Sequence, residues 1–259
     1  MPRCGVPEEN NIMAIYILWL RQIKKYWRSK PRIIGSLGQP LLFLLAFGYG
    51  FGPIFSRAGD GNYLQFLAPG IVGMSIIFTA MFAGIEVIWD RQFGFLKETL
   101  VAPVSRVSIA LGRTLGGATI ATIQGIIVLG ISMLIGFRPV SYINLFAVLA
   151  VMFFAALLFT AIGTAIATRM RDMQAFPLIM NFIMMPLFFL SGSLFPIDGL
   201  PKTLAIIIKI NPLTYSMDAI RGLLTGVYHF NLGLDMLVTL LITLFFLALG
   251  TILFTKIEA

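Results

Sequence analysis

Residues 145–168 read LFAVLAVMFFAALLFTAIGTAIAT, an apolar run without one charged side chain. At 1.5 Å per residue a helix of that length crosses the roughly 30 Å hydrocarbon core of a bilayer. A backbone in lipid must satisfy its own polar groups, so such a run spans as a helix. Outward from it lie five more apolar stretches, at about residues 33–52, 67–89, 114–137, 176–195 and 236–254. Gly38 and Pro40 are expected to bend the first, Pro177 and Pro186 the fifth. The predicted fold is an all-α integral membrane protein with about six transmembrane helices. Its parts are a tail and interfacial helix over residues 1–32 and a six-helix transmembrane domain over residues 33–259.

Composition agrees. Hydrophobic residues make up 58% and charged residues 12% of the 259, and mean hydropathy is +0.93, where soluble domains carry about 25% charge. Spans and short loops use nearly all of the length, so a soluble engine would come from a partner. The net charge of +8 does not point to nucleic acid, because the basic residues flank apolar spans and read as topology signals. Most of them, at residues 21–32, Arg91, Lys97, Arg106, Arg113, Arg169, Arg171 and Lys256, share one side when the N-terminus is inside. Both termini are therefore expected in the cytoplasm, with the protein in the plasma or inner membrane. The first span is expected to direct insertion, and Met13 would make a natural start, leaving residues 1–12 as an extension.

From residue 12 to residue 30 the period is helical, with Ile12, Tyr16, Trp19, Ile23 and Trp27 on one side and Arg21, Lys24, Lys25 and Arg28 on the other. This predicts an amphipathic helix flat in the interface, its basic face toward headgroups, with packing on other protein as the alternative. Residues 196–235 contain two apolar pieces, 204–210 and 213–224, each too short to span and separated by Asn211-Pro212. They read as two helices dipping into the membrane from outside, or lying on its outer surface.

Catalytic groups are missing from the sequence. His229 is the sole histidine, HExxH and GxSxG are absent, no metal-ligating pattern occurs, and Gly112 to Gly117 lacks the GK[ST] ending of a phosphate loop. No cofactor or metal is expected on this chain. Gly112 and Gly116 instead form a small-xxx-small pair that favours close helix packing. Glu86, one turn from Asp90 and Arg91, could pair with Arg91, reach the interface or serve a pathway.

Between the second and third spans, residues 90–105 read DRQFGFLKETLVAPVS. Residues 93–100 can form a short helix, stopped by Pro103, that puts Phe93, Leu96 and Leu100 on one face with Lys97 and Glu98 flanking it. An exposed apolar ridge ringed by charge, with no soluble domain to cover it, reads as a docking knob.

This segment resembles the coupling helix of the permeases of type-2 ABC exporters, sharing Arg91, Gly94, Leu96, Glu98, Leu100, Ala102 and Pro103. A longer match, FFLSGSLFPIDGLPKTLAIIIKINPLTYSMDAIRGLL at residues 188–224, is similar to the end of that family's fifth span and its re-entrant helices. Asn211, Pro212, Tyr215 and Arg221 fall in it as gate residues. The resemblance implies a permease of an ATP-driven exporter that forms a homodimer with a second copy of itself and binds two ATPase subunits, which hold the ATP and Mg. It also implies a substrate path near the second and fifth spans, making Asn181, Met184, Met185, Phe188 and Phe189 candidate lining residues, with plain helix packing as the alternative. An ion-coupled carrier would call for intramembrane acids or broken helices in matched halves, which the sequence lacks, and a membrane scaffold would not need both knob and mouth.

Overall fold

The computed structural model describes residues 8–58, 63–95, 99, 101–102, 104–194 and 201–255. Among these residues it has ten helices and no strand. Helix α1 spans Glu8–Arg28, and after Ser29 helix α2 runs Lys30–Ala58. Next come α3 (Tyr63–Phe82), α4 (Ile85–Gln92), α5 (Arg106–Ile135), α6 (Leu145–Arg169) and α7 (Ala175–Phe189). The last three are α8 (Lys202–Ile210), α9 (Pro212–Thr225) and α10 (Leu232–Thr255). Five units are long and apolar enough to cross a membrane: α2, α3 continued by α4, α5, α6 and α10. With the shorter apolar α7, they make the expected all-helical multi-pass membrane protein.

The core sits on α3 and α6. Leu67, Ile71, Met74 and Ile77 of α3 and Met152, Phe159 and Ala156 of α6 are buried, because these two helices are enclosed by the others. At the periphery, Leu42 of α2 and Leu237, Leu241 and Phe245 of α10 are exposed, as lipid-facing side chains should be. Small residues set the central crossing. A Cβ on Gly163 of α6 would lie 2.9 Å from Met81 Cα, so only glycine admits this approach. Where the two backbones touch, Ala83 and Gly84 break the span between α3 and α4.

Helix α2 continues through Gly38 and Pro40 without interruption. Two sequence expectations are modified. Helix α7 has 15 residues, a rise of about 22 Å, and ends at Phe189, short of the predicted limit at residue 195; Gly192 follows with φ of +73°. Helix α1 has three faces, not two. Tyr16 and Trp27 are exposed, Lys24 and Arg28 are exposed on a basic strip, and a third strip packs on α5. On that third strip Trp19 Nε1 donates to Thr119 Oγ1 at 3.0 Å and the Tyr26 hydroxyl to Gln124 Oε1 at 2.7 Å. A Cβ on Gly112 would meet the Ile15 carbonyl oxygen at 2.9 Å, and one on Gly116 the Gln22 Oε1 at 2.6 Å. The small-xxx-small pair therefore seats α1, and the helix lies on protein as well as beside lipid.

Helices α8 and α9, of 9 and 14 residues, are each too short to cross. Asn211 joins them. It accepts from Leu213 N at 3.0 Å as the N-cap of α9, while Pro212 takes the first helical position, where a missing N–H costs nothing. Gly226, with φ of +78°, closes α9 by donating its N–H to the Gly222 carbonyl at 2.8 Å.

Gly163→Leu is expected to force α6 off α3 and destabilise the fold by about 1–3 kcal/mol or more. Thermal unfolding of the purified protein in detergent measures this, and an unchanged midpoint would contradict the close crossing.

Candidate functional site

At the end of the bundle where α1 meets the spans, two carboxylates gather four cations. Glu86 and Asp90 stand one turn apart on α4, and Arg21 and Lys25 stand one turn apart on α1. Equal spacing lets them pair in register: Arg21 Nη2 lies 3.6 Å from Asp90 and Lys25 Nζ 3.5 Å from Glu86. Arg32 of α2 donates to Glu86 at 2.8 Å, and the buried Arg113 of α5 donates to Asp90 at 2.5 Å. Lys25 Nζ also sits 5.4 Å above the Trp89 ring. Burial pushes the Tyr26 hydroxyl above its ordinary range, against Ser36 and Arg32, which lower it; it therefore stays protonated and serves as donor to Gln124.

Glu86 thus pairs with Arg32 and Lys25 and not with Arg91. Arg91 points the other way, donating to the carbonyls of Met170 and Thr168 at 3.0 Å each, which are free because α6 ends there. Gln92 Nε2 donates to the Arg171 carbonyl at 2.9 Å. The base of the predicted docking segment is consequently fixed to the turn after α6. Gly94 has φ of +81°, a left-handed conformation suited to glycine, and it redirects the chain after α4. Phe93 and Val101 are 67% and 85% exposed. Thr99 Oγ1 donates back to the Phe95 carbonyl at 2.9 Å. Leu96, Lys97, Glu98, Leu100 and Pro103 lie outside the described residues.

The five α7 candidates divide between two faces. Met184 and Phe188 are fully buried with Met180 and Phe176, so they pack the interior of this chain. This fits the helix-packing alternative for these two: at 3.6 residues per turn, positions 176, 180, 184 and 188 form one stripe, and that stripe meets the core. Asn181, Met185 and Phe189 form a second stripe and are exposed.

The four predicted gate residues act as ties. Asn211 Nδ2 donates to the Leu187 and Leu190 carbonyls at 2.6 and 2.9 Å, capping the end of α7. The Tyr215 hydroxyl donates to the Lys209 carbonyl at 2.7 Å, and Pro212 starts α9. Arg221 is buried, with Nη2 3.0 Å from the Ser193 carbonyl and its guanidinium 4.2 Å from the Phe66 ring centroid. Sequence reasoning did not single out Asp218, whose carboxylate accepts from the backbone N–H of His229 at 2.9 Å and of Phe230 at 2.7 Å. Asp235 is fully buried close to it. Nor did it foresee Arg32 or Arg113 as partners of the acids, although the i, i+4 spacing of Glu86 and Asp90 was a visible signal. Among the described residues no group of three or more His, Cys, Asp or Glu could hold a metal ion.

The family model described as ABC-2 type transporter matches residues 13–225. The ycf38 protein of Cyanophora paradoxa, named as a transport permease, is 27% identical over 95% of this chain and 89% of its own length. The ycf38 protein of Pyropia yezoensis is 32% identical over 83% of this chain and 75% of its own. Nodulation protein J of Rhizobium leguminosarum bv. trifolii is 28% identical over 82% and 78%.

The four ion pairs should differ sharply in weight. Removing Arg113, whose side chain is 4% exposed, takes away the hydrogen-bonded cation on Asp90 and leaves it the longer, more exposed Arg21 pair; this is expected to cost about 3 kcal/mol. Removing Arg21, 45% exposed, is expected to cost about 0–1 kcal/mol. Thermal unfolding of Arg113→Ala and Arg21→Ala tests the order, and equal losses would contradict it.

Proposed function

This chain belongs to the ABC-2 type transporter family, and from that premise we propose that it is the membrane-spanning permease subunit of an ATP-driven exporter. Its substrate is an amphipathic molecule, a drug, lipid, glycan or natural product, moved out of the cytoplasm or the inner leaflet. The observation that carries this reading is the exposed apolar segment after α4. Phe93 and Val101 present large apolar surface to water, while Arg91 and Gln92 anchor the segment's base to the turn after α6. A rigid base under an apolar tip is what a force-transmitting contact requires.

In this reading the knob of Phe93, Leu96 and Leu100, flanked by Lys97 and Glu98, seats in a groove of a separate ATPase. ATP and Mg belong to that partner, two copies of which serve a pair of permeases. Push from the partner reaches α4 through Arg91 and spreads through Glu86 and Asp90 to α1, α2 and α5. The exposed stripe of Asn181, Met185 and Phe189 on α7 is the better candidate for the substrate path, since the alternate stripe is occupied by core packing. Asn211, Pro212, Tyr215 and Arg221 hold the short helices to the end of α7, so the outer mouth moves with that helix. Both termini lie in the cytoplasm, on the side of the basic residues.

Two tests follow from this reading. A cysteine at Ile12 should react with an impermeant thiol reagent only after permeabilisation, and cysteines at Ser141 and Thr203 should react in intact cells; the reverse pattern would overturn the orientation. Leu96→Ala with Leu100→Ala removes contact worth about 2–4 kcal/mol if both are covered, weakening the ATPase by well over tenfold. Glu98→Lys reverses the flanking charge. These variants should reach the membrane at normal levels yet lose copurified ATPase and efflux, and retention of both would end the coupling assignment.

A further inference from the structure

Between α2 and α3 lies a cavity of about 320 Å³, within the size range of sites for small molecules. One wall carries a polar ladder on α2, Arg32, Ser36 and Gln39 at i, i+4 and i+7, and Thr79 of α3 faces it. Phe78 and Phe82 supply the apolar part of the lining. Gln39 stands nine positions beyond Lys30, the first residue of α2, about 14 Å along the helix, near the middle of the bilayer.

Gln39 is exposed at that depth. Among the described residues, neither its amide nor the Thr79 hydroxyl has a hydrogen-bond partner in the protein. An amide left unpaired in hydrocarbon is costly, so something polar is expected to meet it. Arg32 gives Nη1 to Glu86 and retains Nη2 and Nε for another acceptor. The surrounding cluster sets four cations against two carboxylates, which favours an anion. An occupant must therefore combine an acidic, hydrogen-bonding head near Arg32 with an apolar body along Phe78 and Phe82.

We propose that this cavity is a loading site that takes an acidic amphiphile from the inner leaflet. The proposal rests on the export reading and narrows its substrate class. It is separate from the α7 stripe, being built within one copy of the chain from α2 and α3.

The test uses the full chain in phosphatidylcholine nanodiscs with two probes of equal acyl chains, photoactivatable phosphatidylglycerol and photoactivatable phosphatidylcholine. Phosphatidylglycerol should label the peptides around residues 36–40 and 78–82 in preference to phosphatidylcholine, and unlabelled phosphatidylglycerol should compete. A Cβ added at Gly35 meets nothing within 4 Å, so Gly35→Leu can narrow the cavity without disturbing the backbone, and it should reduce labelling about tenfold, a change of about 1.4 kcal/mol. Gln39→Leu and Thr79→Val remove groups that hold nothing inside the protein. They should lower labelling severalfold while thermal stability stays level or rises, a combination that a structural role would not give.

Equal labelling by the two lipids, or labelling spread over Leu237 and Leu241 as for surrounding bilayer lipid, would overturn the proposal. So would competition by inorganic phosphate as effective as by the lipid, which would mean an anion site without an amphiphile. Dissociation of a dimer by Gln39→Leu would likewise overturn it, assigning the surface to a second copy. Copurification of an ATPase with the wild-type chain is measured separately: its failure would remove the export reading while leaving the labelling pattern, and the two outcomes are thereby distinguished.

Discussion

Two carboxylates at one end of a membrane bundle determine how the rest of this protein is held. Glu86 and Asp90 lie where α4 leaves the membrane-spanning region, and both are largely buried. A buried ionised carboxylate is costly unless compensating partners lie close by, and here the cations come from three other helices: Arg21 and Lys25 of α1, Arg32 of α2 and Arg113 of α5. The pairing fixes elements that hydrophobic burial alone cannot order, because lipid tails compete with side chains for apolar contact. It also converts α1 from a helix resting in the interface into part of the bundle.

Small residues complete what the charges begin. Gly112 and Gly116 admit the backbone of α1, and Gly163 admits that of α3. Close approach gains dispersion contact that larger side chains would prevent. At the opposite end, polar side chains substitute for helix length. Asn211 satisfies carbonyls at the end of the short α7, and Asp218 gathers the backbone N–H groups of residues 229 and 230. Each of these contacts meets the requirement that no backbone group be left unpaired away from water.

These constraints give the molecule a mechanical form. The segment after α4 is tied by Arg91 to the end of α6, and α4 is tied by its acids to α1, α2 and α5. The end of α4 is therefore connected to several helices at once. A polar ladder on α2 leaves Gln39 facing a cavity that Met74, Phe78 and Phe82 line from α3, which places hydrogen-bonding capacity at a depth where lipid offers none.

Hydropathy is a local property, and for that reason the sequence alone determined the class of the protein, the place of its apolar helices, though with ends up to eight residues off, and the two short helices broken at Asn211-Pro212. The segment after the second span is read for the same reason, from a pattern within a dozen neighbours, and of its large apolar residues the structure describes Phe93, Phe95 and Val101, all exposed. What remained open depended on which faces meet across space. Periodicity showed that α1 has apolar and basic sides but not that Tyr26 and Trp19 hydrogen-bond to α5. It brought Glu86 near Arg91 in sequence, yet the carboxylate meets Arg32, 54 positions away. It grouped Met184 and Phe188 with Asn181, Met185 and Phe189, and only packing against α3 separated the buried stripe from the exposed one. A helix carries its period in its own sequence, whereas the choice of which stripe is covered belongs to its neighbours.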